Sequence, residues 1–193
     1  MEEKKVEITI EDIRNCCNSI TSKILSKMRG GIVDDVLSRK VKKPINRPVL
    51  YRWWFPADFV EFLNGEYKSK LQEQLEGVDS KKIGEDTYYA LYFGKSKDGR
   101  NRFNQHTYKD IDKSTLSRTI YAIISTPSED KVAEILSKCY FEWVEVDSES
   151  LLECLESMCI VSGKYPLNIE GNPSITDYWR KTILDSRKDI NNK

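Results

Sequence analysis

The hydrophobic and polar positions along the chain follow the period of a helix in some segments and that of a strand in others. Apolar residues spaced three or four apart predict an amphipathic N-terminal helix over residues 9–28, with Thr9 as its N-cap. Segments rich in aromatic and apolar residues predict three strands, over residues 49–55, 88–93 and 140–146. Further helical periods lie around 115–124, 128–138 and 151–160, and from Ser174 to a fraying end after Asp185. This order predicts an α/β sandwich, a small sheet with helices around it.

Glycine and proline divide the chain into three parts. Gly30 and Gly31 end the first helical period, and a basic run that closes with Pro44 and Pro48 separates it from the first strand. We therefore predict a helical N-terminal extension over 1–45, a central domain over 46–172 with an insertion of short helices at 56–86, and a C-terminal helix and tail over 173–193.

The charge of the chain is balanced, with 31 basic and 31 acidic residues. A protein that held nucleic acid through diffuse electrostatics would be basic, so any nucleic-acid site must be a local patch. The basic run offers one candidate patch, formed by Lys40, Lys42 and Lys43. These lysines either contact phosphates or belong to a solvated linker.

Several protein classes are excluded by what the sequence lacks. No apolar run approaches 18 residues and the first residues contain no signal-peptide core, so we expect a cytoplasmic protein with no membrane segment. The five cysteines contain no Cys-x-x-Cys pair, and the single histidine lies far from them in the sequence. A zinc site is therefore not expected.

Two stretches carry candidate chemistry. In the first, Tyr92-Phe93-Gly94 ends a strand, and Arg102 and His106 follow on one face of a predicted helix. In the second, Glu156 lies at the margin of a helix's apolar face, and Asn168 follows twelve residues later. Taken alone, the first stretch also fits an ordinary edge strand followed by a solvated helix, and Glu156 in the second also fits an ordinary surface glutamate. The two stretches in this order point to an active site.

Together the two stretches resemble the GIY-YIG nuclease family over residues 48–170. Tyr92-Phe93-Gly94 stands where the family has Tyr-Ile-Gly, and Val49-Leu50-Tyr51 is the best match to its Gly-Ile-Tyr strand, although the glycine is missing. The resemblance implies an α/β (α+β) fold with a small three-stranded, mainly antiparallel sheet flanked by helices.

The resemblance also implies a role for each matched residue. Glu156 would bind one divalent cation, Mg²⁺ or Mn²⁺, since a single carboxylate with waters and substrate oxygens suits a hard cation. Arg102 would hold a phosphate oxygen and stabilise the developing charge. Either Tyr51 or Tyr92 would be the general base, and a nearby cation must then lower its pKa from about 10.

Three further residues would support this chemistry. Lys95 would supply the positive charge beside the tyrosines, and Asn168 would orient the loop of the site through hydrogen bonds. His106 would act as a second base or as a phosphate contact.

The sequence thus predicts a metal-dependent endonuclease that cleaves DNA. One alternative is a catalytically inactive nucleic-acid-binding or protein-interaction module on the same fold, which the missing glycine and the neutral charge favour. A second is a small enzyme of another class. A double-strand break would need a homodimer, and the sequence leaves the oligomeric state open.

Overall fold

The computed structural model describes residues 9–108 and 111–191 and shows a sheet packed between two layers of helices. The helices are α1 Ile10–Ser26, α2 Val33–Leu37, α3 Gly65–Gln74, α4 Gly99–Thr107, α5 Thr115–Ile123, α6 Glu129–Lys138, α7 Leu152–Ser162 and α8 Asp177–Asn191. The strands are β1 Arg29–Ile32, β2 Val49–Pro56, β3 Ser80–Ile83, β4 Asp86–Ser96 and β5 Tyr140–Glu145. No helix among these residues is both long and apolar enough to cross a membrane.

The sheet has five strands in the order β1-β5-β2-β4-β3, and all neighbours are antiparallel. The prediction of three strands is therefore wrong, because both edge strands escape the hydrophobic pattern. β1 consists of Arg-Gly-Gly-Ile, whose glycines resemble a helix stop, yet a Cβ on Gly30 would lie 2.1 Å from the Phe141 carbonyl oxygen. β3 consists of Ser-Lys-Lys-Ile and has no apolar alternation.

The central strand β2 is buried on both of its faces. Tyr51, Trp53 and Phe55 belong to one apolar cluster, whereas Leu50 and Trp54 belong to another. Successive side chains of a strand point to opposite faces, so the two clusters lie on the two sides of the sheet. This double burial explains why β2 is continuously apolar rather than alternating.

The helices cover the two faces unequally. The Tyr51 face packs against residues of α4, α5, α6 and α8, with Phe103, Ile120 and Trp179 among its fully buried side chains. The opposite face packs against α7, with partly buried residues of α1 alongside. A residue of α7 and a residue of α4 can therefore meet only where the sheet ends.

The C-terminal helix α8 is held against the body of the protein. The Trp179 indole N–H donates to the Pro166 carbonyl at 2.7 Å, and the Ser186 hydroxyl meets that of Tyr67. The helix runs to Asn191, so the expectation that it frays after Asp185 is wrong. Contacts with α3 and α5, distant in sequence, order this end of the chain.

Candidate active site at the open edge of the sheet

The candidate site begins where β4 loses its neighbouring strand. β3 pairs only with residues Asp86–Tyr89 of β4. Beyond that point Asn168 takes the place of a strand: its Oδ1 accepts the Phe93 N–H at 2.7 Å, and its Nδ2 donates to the Phe93 carbonyl at 2.8 Å. One side-chain amide therefore satisfies both backbone groups of Phe93 and leaves the edge uncovered by a strand.

A cavity of about 400 Å³ opens at this edge. Its lining includes Tyr92, Lys95, Glu156 and Asn168, together with Arg187 from α8. A neighbouring cavity of about 640 Å³ has Arg102 in its wall and shares Lys95 with the first. The edge of the sheet thus brings together side chains from β4, α4, α7 and α8.

The two tyrosines meet through the pairing of β2 with β4. Tyr51 lies opposite Gly94, and the rings of Tyr51 and Tyr92 are 6.4 Å apart. The Tyr51 hydroxyl passes over Gly94, where a Cβ would come within 2.6 Å of it. Only glycine leaves room for the Tyr51 phenol, so the glycine at position 94 has a steric cause.

His106 lies behind Tyr51, only 1% exposed. Its Nε2 is 3.1 Å from the Tyr51 hydroxyl, and its Nδ1 is 2.6 Å from the Ser114 hydroxyl. Burial lowers the His106 pKa to about 3, and the charge of Arg102 adds to this effect. The imidazole is therefore neutral at physiological pH and too deep for a phosphate to reach.

Both phenols are harder to ionise than free tyrosine. Burial raises the pKa of Tyr51, the neighbouring Tyr92 adds to the rise, and the positive charge of Arg102 opposes it. Burial raises the pKa of Tyr92 most, the negative charge of Glu156 raises it further, and the positive charge of Arg102 again opposes the rise. Arg102 is thus the cation that favours a phenolate here, a role the sequence had led us to expect of Lys95.

Lys95 instead faces the carboxylates of α7. Its Nζ is 2.7 Å from Glu153 Oε2 and forms an even closer contact with Glu156 Oε2. Burial would lower the Lys95 pKa, but these two ion pairs outweigh it and raise the pKa. Both carboxylates line the cavity, but the Glu156 side chain is 18% exposed and that of Glu153 is 79% exposed, so Glu156 is the more enclosed of the two.

Glu156 provides a carboxylate, the type of ligand that a hard divalent cation needs. In the described part of the chain, no three histidine, cysteine or acidic side chains gather into a metal site. Three glutamates line the cavity, and Glu156 is the one that is not exposed. Mg²⁺ accepts one carboxylate when waters and substrate oxygens complete its coordination, so Glu156 fits this ion.

Two arginines at the site form no ion pair with any described residue. Nε of Arg102 is buried and has no hydrogen-bond partner among the described residues. Arg187 lines the cavity beside Tyr92 and Glu156, and the sequence analysis did not identify it. Arg187 follows the fully buried Ile183 by four positions and therefore lies on the core-facing side of α8. An arginine at such a position was the one feature of the sequence that could have indicated its role.

The basic run lies outside both cavities. Lys40 pairs with Asp35 at 3.0 Å, Lys43 lies 5.8 Å from the centre of the Phe103 ring, and Lys42 is exposed. The end of this run packs on the start of α4, where the Gly99 N–H donates to the Arg47 carbonyl at 3.0 Å. The lysines are therefore next to the helix that carries Arg102, but do not line the site.

Comparison with known proteins gives one match. Residues 49–189, most of the chain, match the family model described as the GIY-YIG catalytic domain. No curated protein and no solved structure matches the chain.

Proposed function

The chain belongs to the GIY-YIG catalytic-domain family, and from that premise we propose that it is a metal-dependent endonuclease that hydrolyses DNA phosphodiester bonds at the open edge of its sheet. One observation carries the proposal: a single cavity combines a phenol, a carboxylate and cations, and a buried chain of hydrogen bonds lies behind it. Phosphodiester hydrolysis needs an activated water, charge neutralisation and support for the leaving oxygen.

The two tyrosines act together as the proton acceptor. Tyr92 lines the cavity, and Tyr51 lies behind it in contact with His106. The Ser114 hydroxyl already accepts the Ser117 N–H at 3.1 Å and has a second lone pair for an N–H on Nδ1 of His106. In that tautomer Nε2 accepts from the Tyr51 hydroxyl and orients the phenol. The proton of the attacking water goes to the tyrosine that is ionised, whose ionisation the positive charge of Arg102 favours.

Arg102 neutralises charge on the reacting phosphate. Its guanidinium reaches the second cavity, and its buried Nε has a hydrogen to donate without a protein acceptor among the described residues. A guanidinium donates two parallel hydrogen bonds to phosphate oxygens, and these strengthen as charge develops in the transition state. The same charge lowers the pKa of both tyrosines.

Glu156 is the proposed ligand of the divalent cation, Mg²⁺ or Mn²⁺. A bound cation would add positive charge at the phosphate, the usual contribution of such ions in phosphoryl chemistry. Lys95 holds this carboxylate in the protein alone and can turn to the phosphate when a cation takes the carboxylate. Asn168 fixes the backbone of β4 between Tyr92 and Gly94, so its role is to position the site.

The DNA would extend from the cavity along the start of α4. The basic run packs there, and exposed lysines such as Lys42 can neutralise phosphates outside the cavity. Contacts of this kind add affinity without reading sequence.

A supercoiled-plasmid assay tests the proposed function. Wild-type protein should cut in Mg²⁺ or Mn²⁺ and stop in EDTA, and Glu156→Gln should abolish cutting because the cavity carboxylate is lost. Glu153→Gln is the matched control: it lies one turn away on α7, is mainly exposed, and should cut at nearly the wild-type rate. In the same assay Tyr51→Phe should slow cutting by about 10²-fold or more, the usual size of a general-base contribution.

The inactive binding module is the alternative that one observation favours. Lys95 forms an ion pair with Glu156, the proposed metal ligand, and both tyrosines have raised pKa values, which makes them weaker candidates for a base at neutral pH. Metal-independent DNA binding by wild-type protein, with no cutting under any metal condition, would establish that alternative and overturn the nuclease.

A further inference from the structure

Arg187 is fixed in the cavity by neutral groups only. Its Nε donates to the Thr119 hydroxyl at 3.0 Å, and a terminal nitrogen of the guanidinium lies 3.5 Å from the Thr115 carbonyl. It forms none of the ion pairs found among the described residues. The two threonines orient the guanidinium, but they leave its positive charge in place.

A second arginine makes this charge costly. Burial lowers the Arg187 pKa, and repulsion from Arg118 on α5 lowers it further, while Tyr92 and Glu170 oppose the effect. Nε of Arg118 is itself buried and lacks a hydrogen-bond partner within the described part of the chain. Two neighbouring cations repel each other, the exposed Glu170 relieves this only in part, and a further anion between or beside them would relieve the rest.

The first turn of α5 adds to the positive field. Thr115 is the first residue of this helix and lines the same cavity as Arg187. Backbone N–H groups at a helix start carry partial positive charge and favour anions. The Thr115 backbone group nearest Arg187 is its carbonyl oxygen, so any contribution of the helix start adds to that of the guanidinium and does not replace it.

We propose that Arg187, with Arg118 behind it, binds a phosphodiester adjacent to the scissile one in the DNA strand that occupies the cavity. This subsite rests on the proposed nuclease function. Arg187 lines the cavity of Tyr92 and Glu156, whereas Arg102 lines the neighbouring cavity, and this separation is the reason for assigning them to different phosphates. The ligand of this subsite is a phosphate group. It is either a phosphodiester within the strand, as proposed, or a terminal phosphate monoester on a cleaved end.

Fluorescence-anisotropy binding to an intact DNA duplex in EDTA tests the subsite without requiring catalysis. The affinity is measured over a series of salt concentrations for wild type, Arg187→Gln and Lys188→Gln. Lys188 is the matched control, because it neighbours Arg187 in sequence, is 72% exposed and pairs with Asp185 at 3.2 Å. A parallel arm uses a nicked duplex with either a 5′-phosphate or a 5′-hydroxyl at the nick.

The slope of log affinity against log salt is the deciding readout. Loss of one phosphate contact reduces its magnitude by about 0.9 on duplex DNA, and a partly unfolded sample does not change the slope. Arg187→Gln should show this reduction on the intact duplex, Lys188→Gln should not, and Arg187→Gln should also cut more slowly in Mg²⁺.

Other outcomes overturn the proposal in separable ways. If wild type binds and cuts but Arg187→Gln keeps the wild-type slope, the subsite is wrong and the nuclease stands. If the slope changes only on the 5′-phosphorylated nick, the ligand is a terminal monoester and the diester assignment is wrong. If wild type neither binds nor cuts DNA, the subsite falls together with the proposed function.

Discussion

Arginines on the two sides of the sheet have opposite surroundings. Arg52 points to the α7 side, where its Nε donates to Glu142 at 2.6 Å, Nη1 lies 3.1 Å from Asp79, and the guanidinium stacks 4.2 Å from the centre of the Trp54 ring. Arg102 approaches the tyrosine side with a buried Nε that has no partner among the described residues. The protein surrounds the buried Arg52 with carboxylates and leaves the half-buried Arg102 with a buried Nε that has no acceptor among the described residues.

This difference separates structural charge from functional charge. Breaking a buried ion pair lowers stability strongly, because one charge is then left without a partner. A cation that carboxylates already surround cannot also bind an anionic ligand. A buried cation without an acceptor is unfavourable in the protein alone, so its retention needs another explanation. At this site we propose that the explanation is an anionic substrate, and the same reasoning extends to Arg187.

The largest expected effect follows from removing the open cation. Arg102→Gln should lower the single-turnover rate of DNA cutting by about 10²–10³-fold, the usual effect of deleting one donor that stabilises transition-state charge. Its thermal stability should not fall, because no ion pair is lost. A large loss of stability in thermal melting, with cutting retained per folded molecule, would place Arg102 among the structural charges.

A smaller effect, and one on stability, is expected from the compensated cation. Arg52→Met should lower the free energy of unfolding by about 3 kcal/mol, because Glu142 loses a buried partner and keeps only Lys81. Denaturant unfolding measures this, and cutting per folded molecule should stay near wild type. The Arg52→Met/Glu142→Gln double variant should recover part of the loss; equal stability of wild type and Arg52→Met would mean that the pair does not hold the two strands.

The smallest effect concerns pH. The His106 pKa of about 3 lies below its ordinary value of 6.5, so the unfolded chain binds the proton first as pH falls. Stability that is complete above pH 6.5 is then lost progressively toward pH 3, by about 2 kcal/mol at pH 5. Denaturant unfolding at pH 7 and pH 5 checks this, and His106→Gln should show a shallower loss. A wild-type protein with equal stability at both values would contradict a buried neutral imidazole.

The sequence predicted the central part of the fold better than its edges. The strand that contains Tyr51 and the strand that contains Tyr92 could be recognised because their aromatic residues are buried. β1 and β3 could not, since edge strands need no apolar face and their glycines and lysines resemble loops. The sequence also cannot show that Asn168 substitutes for a strand, because that depends on where β3 ends.

The candidate site shows the same division. Tyr51, Tyr92, Arg102, His106 and Glu156 were grouped by the resemblance to the GIY-YIG family, and the structure brings them together near one edge of the sheet. Arg187 was missed because its place depends on how α8 docks against α5. The direction of Lys95 was also unpredictable, since its carboxylate partners lie on a helix about sixty residues later.

The most direct test of this account makes the same Glu→Gln substitution at the carboxylate of the cavity and at the carboxylate of the buried ion pair. Plasmid cutting in Mg²⁺ is measured for wild type, Glu156→Gln and Glu142→Gln at equal concentrations of folded protein. The account predicts that wild type cuts, that Glu156→Gln does not, and that Glu142→Gln cuts like wild type although it is less stable. No cutting by wild type, or equal cutting by Glu156→Gln, would contradict the nuclease site proposed at the open edge of the sheet.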